Sequence, residues 1–88
     1  MKFKAEIDIM PLKSLLDPQG KAVTASMKNI DLSEIENVRI GKHITLDVEA
    51  ESLESAENMV DTACQKMLCN QIMESYTFKL SQYLDLFS

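Results

Sequence analysis

The N-terminal segment alternates between apolar and charged side chains, and this alternation constrains the fold more than any other feature of the chain. Phe3, Ala5, Ile7 and Ile9 share one parity, and lysine, glutamate and aspartate residues occupy the positions between them. Because successive side chains of a strand point to opposite faces, residues 2–10 are predicted to form a strand with one buried and one charged face. A sheet built around this strand is therefore expected to leave one face uncovered.

The first predicted helix begins at Asp17–Pro18, because aspartate is a favoured N-cap residue and proline a favoured first helical residue. Gly20 lies in the first turn, where glycine is a poor helix former. We therefore expect Gly20 to allow another backbone to approach closely. Apolar residues at helical spacing predict a stripe that faces the core, formed by Ala22, Val23, Met27 and Ile30.

The second predicted helix is the clearest element of the sequence. Ser52 fits the N-cap, Asn70 fits the stop, and glutamates near the start complement the helix dipole. The apolar residues between them recur at i, i+3, i+4 and i+7, which predicts a core-facing stripe of Ala56, Met59, Val60, Ala63, Cys64, Met67 and Leu68.

Three further strands complete the predicted order of elements. Residues 35–40 and 43–50 are predicted to form a hairpin around Gly41–Lys42, and residues 76–80 a last strand. The order β-α-β-β-α-β is typical of an α+β, ferredoxin-like fold with an antiparallel sheet and two helices on one face. We expect one domain over residues 1–80. The tail 81–88 carries exposed apolar residues and is expected to make contacts through Tyr83, Leu84, Leu86 and Phe87.

A chain of 88 residues buries only about 60–65% of its unfolded surface, so its core is expected to be thin. Cys64 and Cys69 lie five residues apart in a predicted helix, on different faces, which disfavours a disulfide between them. With His43 they do not have the spacing of a zinc site. Self-association remains as the expected source of additional stability.

The formal charge of −5 disfavours nucleic acid and anionic membranes as partners, since both attract basic surfaces. The N-terminal segment is interrupted by charges throughout, unlike a signal peptide, and no apolar run is long enough to span a bilayer. Free thiols are typical of reducing compartments. The sequence therefore predicts a cytoplasmic protein.

The remaining candidates for chemistry are few. The acids between Asp47 and Asp61 fall on the polar sides of a predicted strand and helix, which indicates a solvated face. His43 begins a strand without a nucleophile motif nearby, which indicates a surface or interface position. Arg39 and Lys42 flank the predicted turn in an otherwise acidic chain. This corner is either an ordinary turn with surface charges or a docking site for an anion or a carboxylate.

Three blocks of sequence stand out by their order and spacing. They are Leu16-Asp17-Pro18-Gln19-Gly20, then Val38-Arg39-Ile40-Gly41-Lys42, and finally Cys64-Gln65-Lys66-Met67-Leu68-Cys69-Asn70 with Glu74-Ser75-Tyr76. Together they closely resemble the PurS family, a subunit of phosphoribosylformylglycinamidine (FGAM) synthase. The resemblance extends from about residue 2 to residue 80 and includes the length of the chain.

The resemblance implies a subunit without catalytic residues. FGAM synthase converts formylglycinamide ribonucleotide into its amidine during de novo purine synthesis, using ATP and ammonia from glutamine. Membership of the PurS family implies a homodimer or tetramer that joins the synthetase, PurL, to the glutaminase, PurQ. It also implies that this chain binds no cofactor, because ATP and Mg²⁺ are used by the synthetase. The residues then expected at partner contacts are Asp17, Pro18, Gln19, Gly20, Arg39, Gly41 and Lys42.

Two other functions fit the same predicted fold. A regulatory domain of the ACT type also pairs its sheets, and it binds amino acids at the interface. A small acylphosphatase-like hydrolase requires an arginine in the loop after the first strand, and residues 11–20 contain none. The ACT-type domain is therefore the alternative to an assembly subunit.

Overall fold

One antiparallel sheet of three strands forms the body of the molecule. In the computed structural model, which describes residues 1–83, the strands lie in the order β2-β1-β3. Their bounds are Lys2–Pro11 for β1, Lys42–Glu49 for β2 and Glu74–Gln82 for β3. Ile7 at the centre of β1 lies opposite Ile44 on β2 and Phe78 on β3. The strand predicted from the alternating pattern is therefore confirmed, and it occupies the middle of the sheet.

The apolar face of the sheet is covered by helix α2 (Leu53–Ala63), which continues as a short π-helix (Cys64–Leu68). Tyr76 of β3 donates a hydrogen bond of 2.5 Å to Asp61 of α2, and this bond joins the helix to the sheet edge. No polar or charged side chain is buried within residues 1–83. The core consists of nine apolar side chains: Phe3, Ala5, Ile7, Ile9, Val48, Ala56, Val60, Cys64 and Cys69.

Helix α2 begins where the sequence predicts. The hydroxyl of Ser52 accepts a hydrogen bond of 3.1 Å from the N–H of Ser55, so the predicted N-cap is confirmed. The end differs from the prediction. The α-helical geometry stops at Ala63, and in the wider π-helical turn the N–H of Cys69 donates to the carbonyl of Cys64 at 2.9 Å.

The predicted hairpin is wrong, although the α+β, ferredoxin-like arrangement is confirmed. Residues 35–41 have no regular secondary structure, and β2 begins directly at Lys42. Asn37 has a φ of 56°, in the left-handed region, which interrupts an extended chain. The N–H groups of Val38 and Ile40 bond to side chains, at 3.0 Å each, and are therefore unavailable to a neighbouring strand.

Helix α1 (Pro18–Ser26) continues into a 3₁₀ turn (Met27–Ile30), and neither packs extensively against the sheet or α2 within residues 1–83. Of the stripe predicted to face the core, Val23 and Met27 are only half-buried, while Ala22 is exposed and Ile30 is 62% exposed. The expectation of a core-facing stripe on α1 is wrong within one copy of the chain, because α2 alone covers the core of the sheet.

The last strand is longer than predicted at both ends. β3 spans Glu74–Gln82, so Ser81 and Gln82 of the predicted tail pair with β1. Tyr83 follows directly, and its hydroxyl donates a hydrogen bond to Asp47 of β2. The contacts expected of Leu84, Leu86 and Phe87 lie outside the described residues.

The molecule is flat and elongated. Its principal extents are 52 × 33 × 14 Å and its radius of gyration is 17.4 Å. A compact chain of this length has a radius of gyration of about 12 Å. The difference indicates that much of the chain lies away from the core of its own sheet.

Candidate functional site

A single carboxylate holds α1 against the segment that precedes β2. Asp17 is the N-cap of α1, and its Oδ1 accepts a hydrogen bond of 3.0 Å from the N–H of Gly20. Its Oδ2 accepts another of 3.0 Å from the N–H of Ile40 and lies 3.6 Å from Nε of Arg39. These two backbone hydrogen bonds, aided by the guanidinium charge, lower the pKa of Asp17 below its ordinary value.

Arg39 joins the same segment to the end of β1. Its Nη2 donates to the carbonyls of Pro11 and Leu12, at 2.7 and 3.1 Å. Among residues 1–83 its buried Nε has no hydrogen-bond partner, so the ion pair with Asp17 is the interaction that offsets the loss of water around this nitrogen. We call the contacts that link Asp17 and Arg39 to these backbone groups the Asp17–Arg39 latch.

The latch requires a glycine at position 20. A β-carbon added to Gly20 would lie 2.1 Å from the carbonyl oxygen of Val38 and 2.7 Å from Oδ2 of Asp17. The predicted close approach of a second backbone is therefore confirmed. Thr24, one turn later, accepts a hydrogen bond from the N–H of Val38 at 3.0 Å and donates to the carbonyl of Gly20 at 2.8 Å.

The latch forms one wall of a groove of about 580 Å³ at the end of the sheet. We call it the end groove. Lys42 and Glu74 form an ion pair of 3.8 Å in it, and Glu74 also accepts a hydrogen bond of 2.9 Å from the N–H of Asn70. The three sequence blocks thus meet here, and the lining residues are Pro11, Leu15, Leu16, Asp17, Pro18, Gln19, Ile40, Gly41, Lys42, Asn70, Met73 and Glu74.

Most of the residues expected at partner contacts line this groove. They are Asp17, Pro18, Gln19, Gly41 and Lys42. The two others, Gly20 and Arg39, lie behind the groove wall and hold it in place. The structure therefore brings all seven together at one end of the molecule, and their part in binding a partner stays a prediction.

The apolar part of the groove was missed by sequence reasoning. Leu16 is 66% exposed and Met73 is 54% exposed, and both face the groove together with Leu15. The signal was available, because Leu15 and Leu16 precede the N-cap and belong to no periodic stripe. Exposed apolar side chains grouped around a few polar ones are typical of a contact surface.

The chemistry available in the described residues is limited. His43 lies 2.6 Å from Asp8, but both are exposed on the charged face of the sheet, away from the groove. Burial raises the pKa of the Cys64 and Cys69 thiols, which favours their protonated, unreactive form. Within residues 1–83 no group of three or more His, Cys, Asp or Glu side chains could hold a metal ion. No helix in that range is long and apolar enough to cross a membrane.

Comparison with known proteins gives a consistent result. The sequence profile of the family described as PurS, phosphoribosylformylglycinamidine (FGAM) synthase, matches residues 4–82. The PurS subunit of Synechocystis is 37% identical over 68 residues, which cover 77% of this chain and 68% of the relative. The PurS subunit of Bacillus subtilis is 31% identical over 80 residues, which cover 91% of this chain and 94% of the relative.

Solved structures agree with the sequence comparison. The structure of PurLQS from Thermotoga maritima contains a chain that matches with a TM-score of 0.84 at 31% identity, covering 92% of this chain and 99% of that chain. PurS of Thermus thermophilus matches with a TM-score of 0.83 at 32% identity, covering 96% and 100%. The chain therefore belongs to the PurS family of FGAM synthase subunits.

Proposed function

We propose that this chain is the assembly subunit of FGAM synthase and has no active site of its own. The observation that carries the proposal is its similarity, over nearly the full length of both chains, to a chain of the PurLQS complex of Thermotoga maritima. In this proposal the chain associates with copies of itself and joins a PurL-type synthetase to a PurQ-type glutaminase. ATP and Mg²⁺ are bound by the synthetase, and the complex acts in the cytoplasm.

The end groove supports the proposal, because it is the place where the family's sequence blocks meet. Its exposed leucines and Met73 suit burial against a partner, and the latch fixes the groove wall before the partner arrives. A preformed surface reduces the conformational entropy that association costs. The contribution to rate is indirect. Holding glutaminase and synthetase together lets ammonia pass between them at high effective concentration.

Reconstitution tests the proposal. Purified synthetase and glutaminase are assayed for glutamine-dependent formation of the amidine, with and without this chain. We expect the activity to depend on the chain, while the pure chain shows neither glutaminase nor ATPase activity. Excess ammonium chloride should reduce the dependence, because it bypasses the transfer of ammonia. Full glutamine-dependent activity without the chain would contradict the proposal.

A pair of variants tests the groove itself. Leu16→Asp places a charge on the apolar wall, at a side chain that is 66% exposed and therefore not needed for folding. Ile72→Asp is the matched control, since Ile72 is 84% exposed and does not line the groove. We expect Leu16→Asp to reduce co-elution with the partner proteins and Ile72→Asp to leave it unchanged. Equal effects of the two variants would exclude the end groove as the contact.

A further inference from the structure

A second groove, of about 610 Å³, is lined by Asp17 and Arg39 of the latch. We call it the lysine groove, because Lys13, Lys21 and Lys28 line it as well. Among the described residues that line it, Asp17 is the only acid, and Nε of Arg39 lies 3.6 Å from its carboxylate. The charges of the three lysines are therefore not compensated by the groove itself, although the chain as a whole has a formal charge of −5.

The three lysines of the groove also have no ionic partner elsewhere in the described chain. Among residues 1–83, none of them lies within 4.0 Å of a carboxylate oxygen, and all three are exposed. The lysines of the sheet differ, since Lys4, Lys42 and Lys79 each pair with a glutamate, at 3.9, 3.8 and 3.3 Å. Like charges that share a groove repel each other, and an anion bound between them would offset that repulsion.

The lysines reach the groove from two parts of the fold. Lys21 and Lys28 are seven positions apart, so they share one face of α1 and its 3₁₀ turn. Lys13 belongs to the turn between β1 and α1. Val23 and Met27, which are half-buried, lie on the opposite face of the helix. The groove is therefore a polar site with walls of its own, separate from the apolar face of α1.

The size and the walls of the groove suit a small organic anion. Sites for small molecules have volumes of about 300–1,000 Å³ and combine apolar walls with a few polar groups. Leu15, Leu16 and Val38 supply the apolar walls here, and the two leucines are 38% and 66% exposed. Lysine binds phosphate as a point charge, so three lysines at separate positions can each contact a different phosphate group.

We propose that the lysine groove binds a diphosphate or triphosphate group, which is either free or carried by a nucleoside. The negative charge of linked phosphates is distributed along a chain, which the ammonium groups of Lys13, Lys21 and Lys28 can follow. A single phosphate group would leave part of the positive charge uncompensated. A nucleoside, where present, lies against the leucine wall. The site belongs to this chain alone, so the inference goes beyond the proposed function and does not depend on the partner proteins.

Isothermal titration calorimetry of the purified chain tests the proposal, with tripolyphosphate, ATP, AMP and inorganic phosphate as probes and without divalent cations. We expect tripolyphosphate or ATP to bind with a dissociation constant of about 100 μM or lower at about 50 mM NaCl. AMP and inorganic phosphate should bind at least about ten-fold more weakly, because each presents a single phosphate group. Since the lysines are exposed, raising NaCl to about 500 mM should weaken the binding. Tighter binding of ATP than of tripolyphosphate would assign the phosphate chain to a nucleotide, and the reverse order would assign it to a free polyphosphate.

A matched pair of variants locates the site. Lys21→Glu reverses one charge of the groove, and Lys66→Glu makes the same change at an exposed lysine that lies outside the groove and forms no ion pair among residues 1–83. We expect Lys21→Glu to raise the dissociation constant of the tighter-binding probe about ten-fold or more, and Lys66→Glu to change it less than about two-fold. Lys13→Glu, in the turn before α1, should act like Lys21→Glu and does not alter the helix.

Circular dichroism verifies that each variant is folded. Equal losses of affinity in Lys21→Glu and Lys66→Glu would show attraction to lysines in general and would overturn the inference. Inorganic phosphate that binds as tightly as tripolyphosphate would overturn it too, because a site for one phosphate group would then suffice. The absence of binding by any probe at about 1 mM would exclude the site altogether. None of these results would bear on the assembly of synthetase and glutaminase, which the reconstitution assay measures separately.

Discussion

Asp17 shows how one side chain can fix the relation between two segments that share no secondary structure. Its carboxylate accepts the N–H groups of Gly20 and Ile40 and balances Arg39. Since folding lowers its pKa, the carboxylate stabilises the folded state at pH values above its ordinary pKa of about 3.9. That contribution is lost as the pH falls through the lower value of the folded state.

Asp17→Asn should therefore lower the midpoint of thermal unfolding at pH 7, because an amide offers one acceptor and no charge. The difference from the wild type should shrink as the pH is lowered from about 4 through the lower pKa of the folded state, where the wild-type carboxyl becomes protonated. Unfolding followed by circular dichroism at a series of pH values measures both effects. Glu57→Gln, at an exposed position of α2, is the control and should change the midpoint little. A difference for Asp17→Asn that is independent of pH would contradict the assignment.

Gly20 provides a second prediction at this scale. In an open helix, replacing glycine by alanine stabilises by about 1 kcal/mol. Here the new methyl group would lie 2.1 Å from the carbonyl oxygen of Val38, and the backbone would have to move. Gly20→Ala is therefore expected to destabilise by about 1–3 kcal/mol in urea unfolding. Gln19→Ala, at the exposed neighbouring position, should stay within about 0.5 kcal/mol of the wild type. A stabilising Gly20→Ala would refute the close approach.

At the scale of elements, periodicity identified β1 and α2, although Met59 and Met67 of the predicted α2 stripe are 49% and 84% exposed and lie outside the core. It failed over residues 35–41, where Ile35, Val38 and Ile40 resemble a strand but the backbone N–H groups bond to Thr24 and Asp17. Those hydrogen bonds join distant parts of the chain, and no local pattern encodes them.

The candidate site was predictable to a similar degree. The cap at Asp17 and the close approach at Gly20 follow from local rules of helix capping and glycine geometry. The acceptors of Arg39 do not, because the carbonyls of Pro11 and Leu12 are brought to it only by the folded chain. The prediction that α1 faces the core of its own sheet was wrong for another reason. Periodicity indicates that a face is apolar, but it does not say which surface covers it.

The cap of α2 can be tested as an element. Ser52 satisfies the N–H of Ser55, and α2 is the helix that covers the sheet. Ser52→Ala should therefore destabilise the protein by about 1 kcal/mol, measured by urea unfolding. Thr62→Ala, at an exposed position of the same helix, removes a hydroxyl without removing a cap and should be neutral or slightly stabilising. Equal losses for the two variants would show that the cap is not the cause.

At the scale of the whole molecule, the flat shape and the nine-residue core indicate that the stability of the fold depends on association between copies of the chain. If copies of the chain cover each other's exposed apolar side chains, dissociation exposes surface that a single copy cannot bury. For a dimer, the apparent free energy of unfolding should then rise with protein concentration, by about 2.7 kcal/mol per mole of dimer for each hundred-fold increase. A chain stable as a monomer would show no such dependence.

The measurement is urea unfolding, followed by far-ultraviolet circular dichroism at protein concentrations of about 1 μM and about 100 μM. We expect a clear rise of the midpoint at the higher concentration for the wild type. The rise should persist in Lys66→Glu, an exposed position of the π-helical turn that forms no ion pair among residues 1–83. Coincident wild-type curves at the two concentrations would show that the thin core suffices alone, and that the elongated shape has a cause other than association.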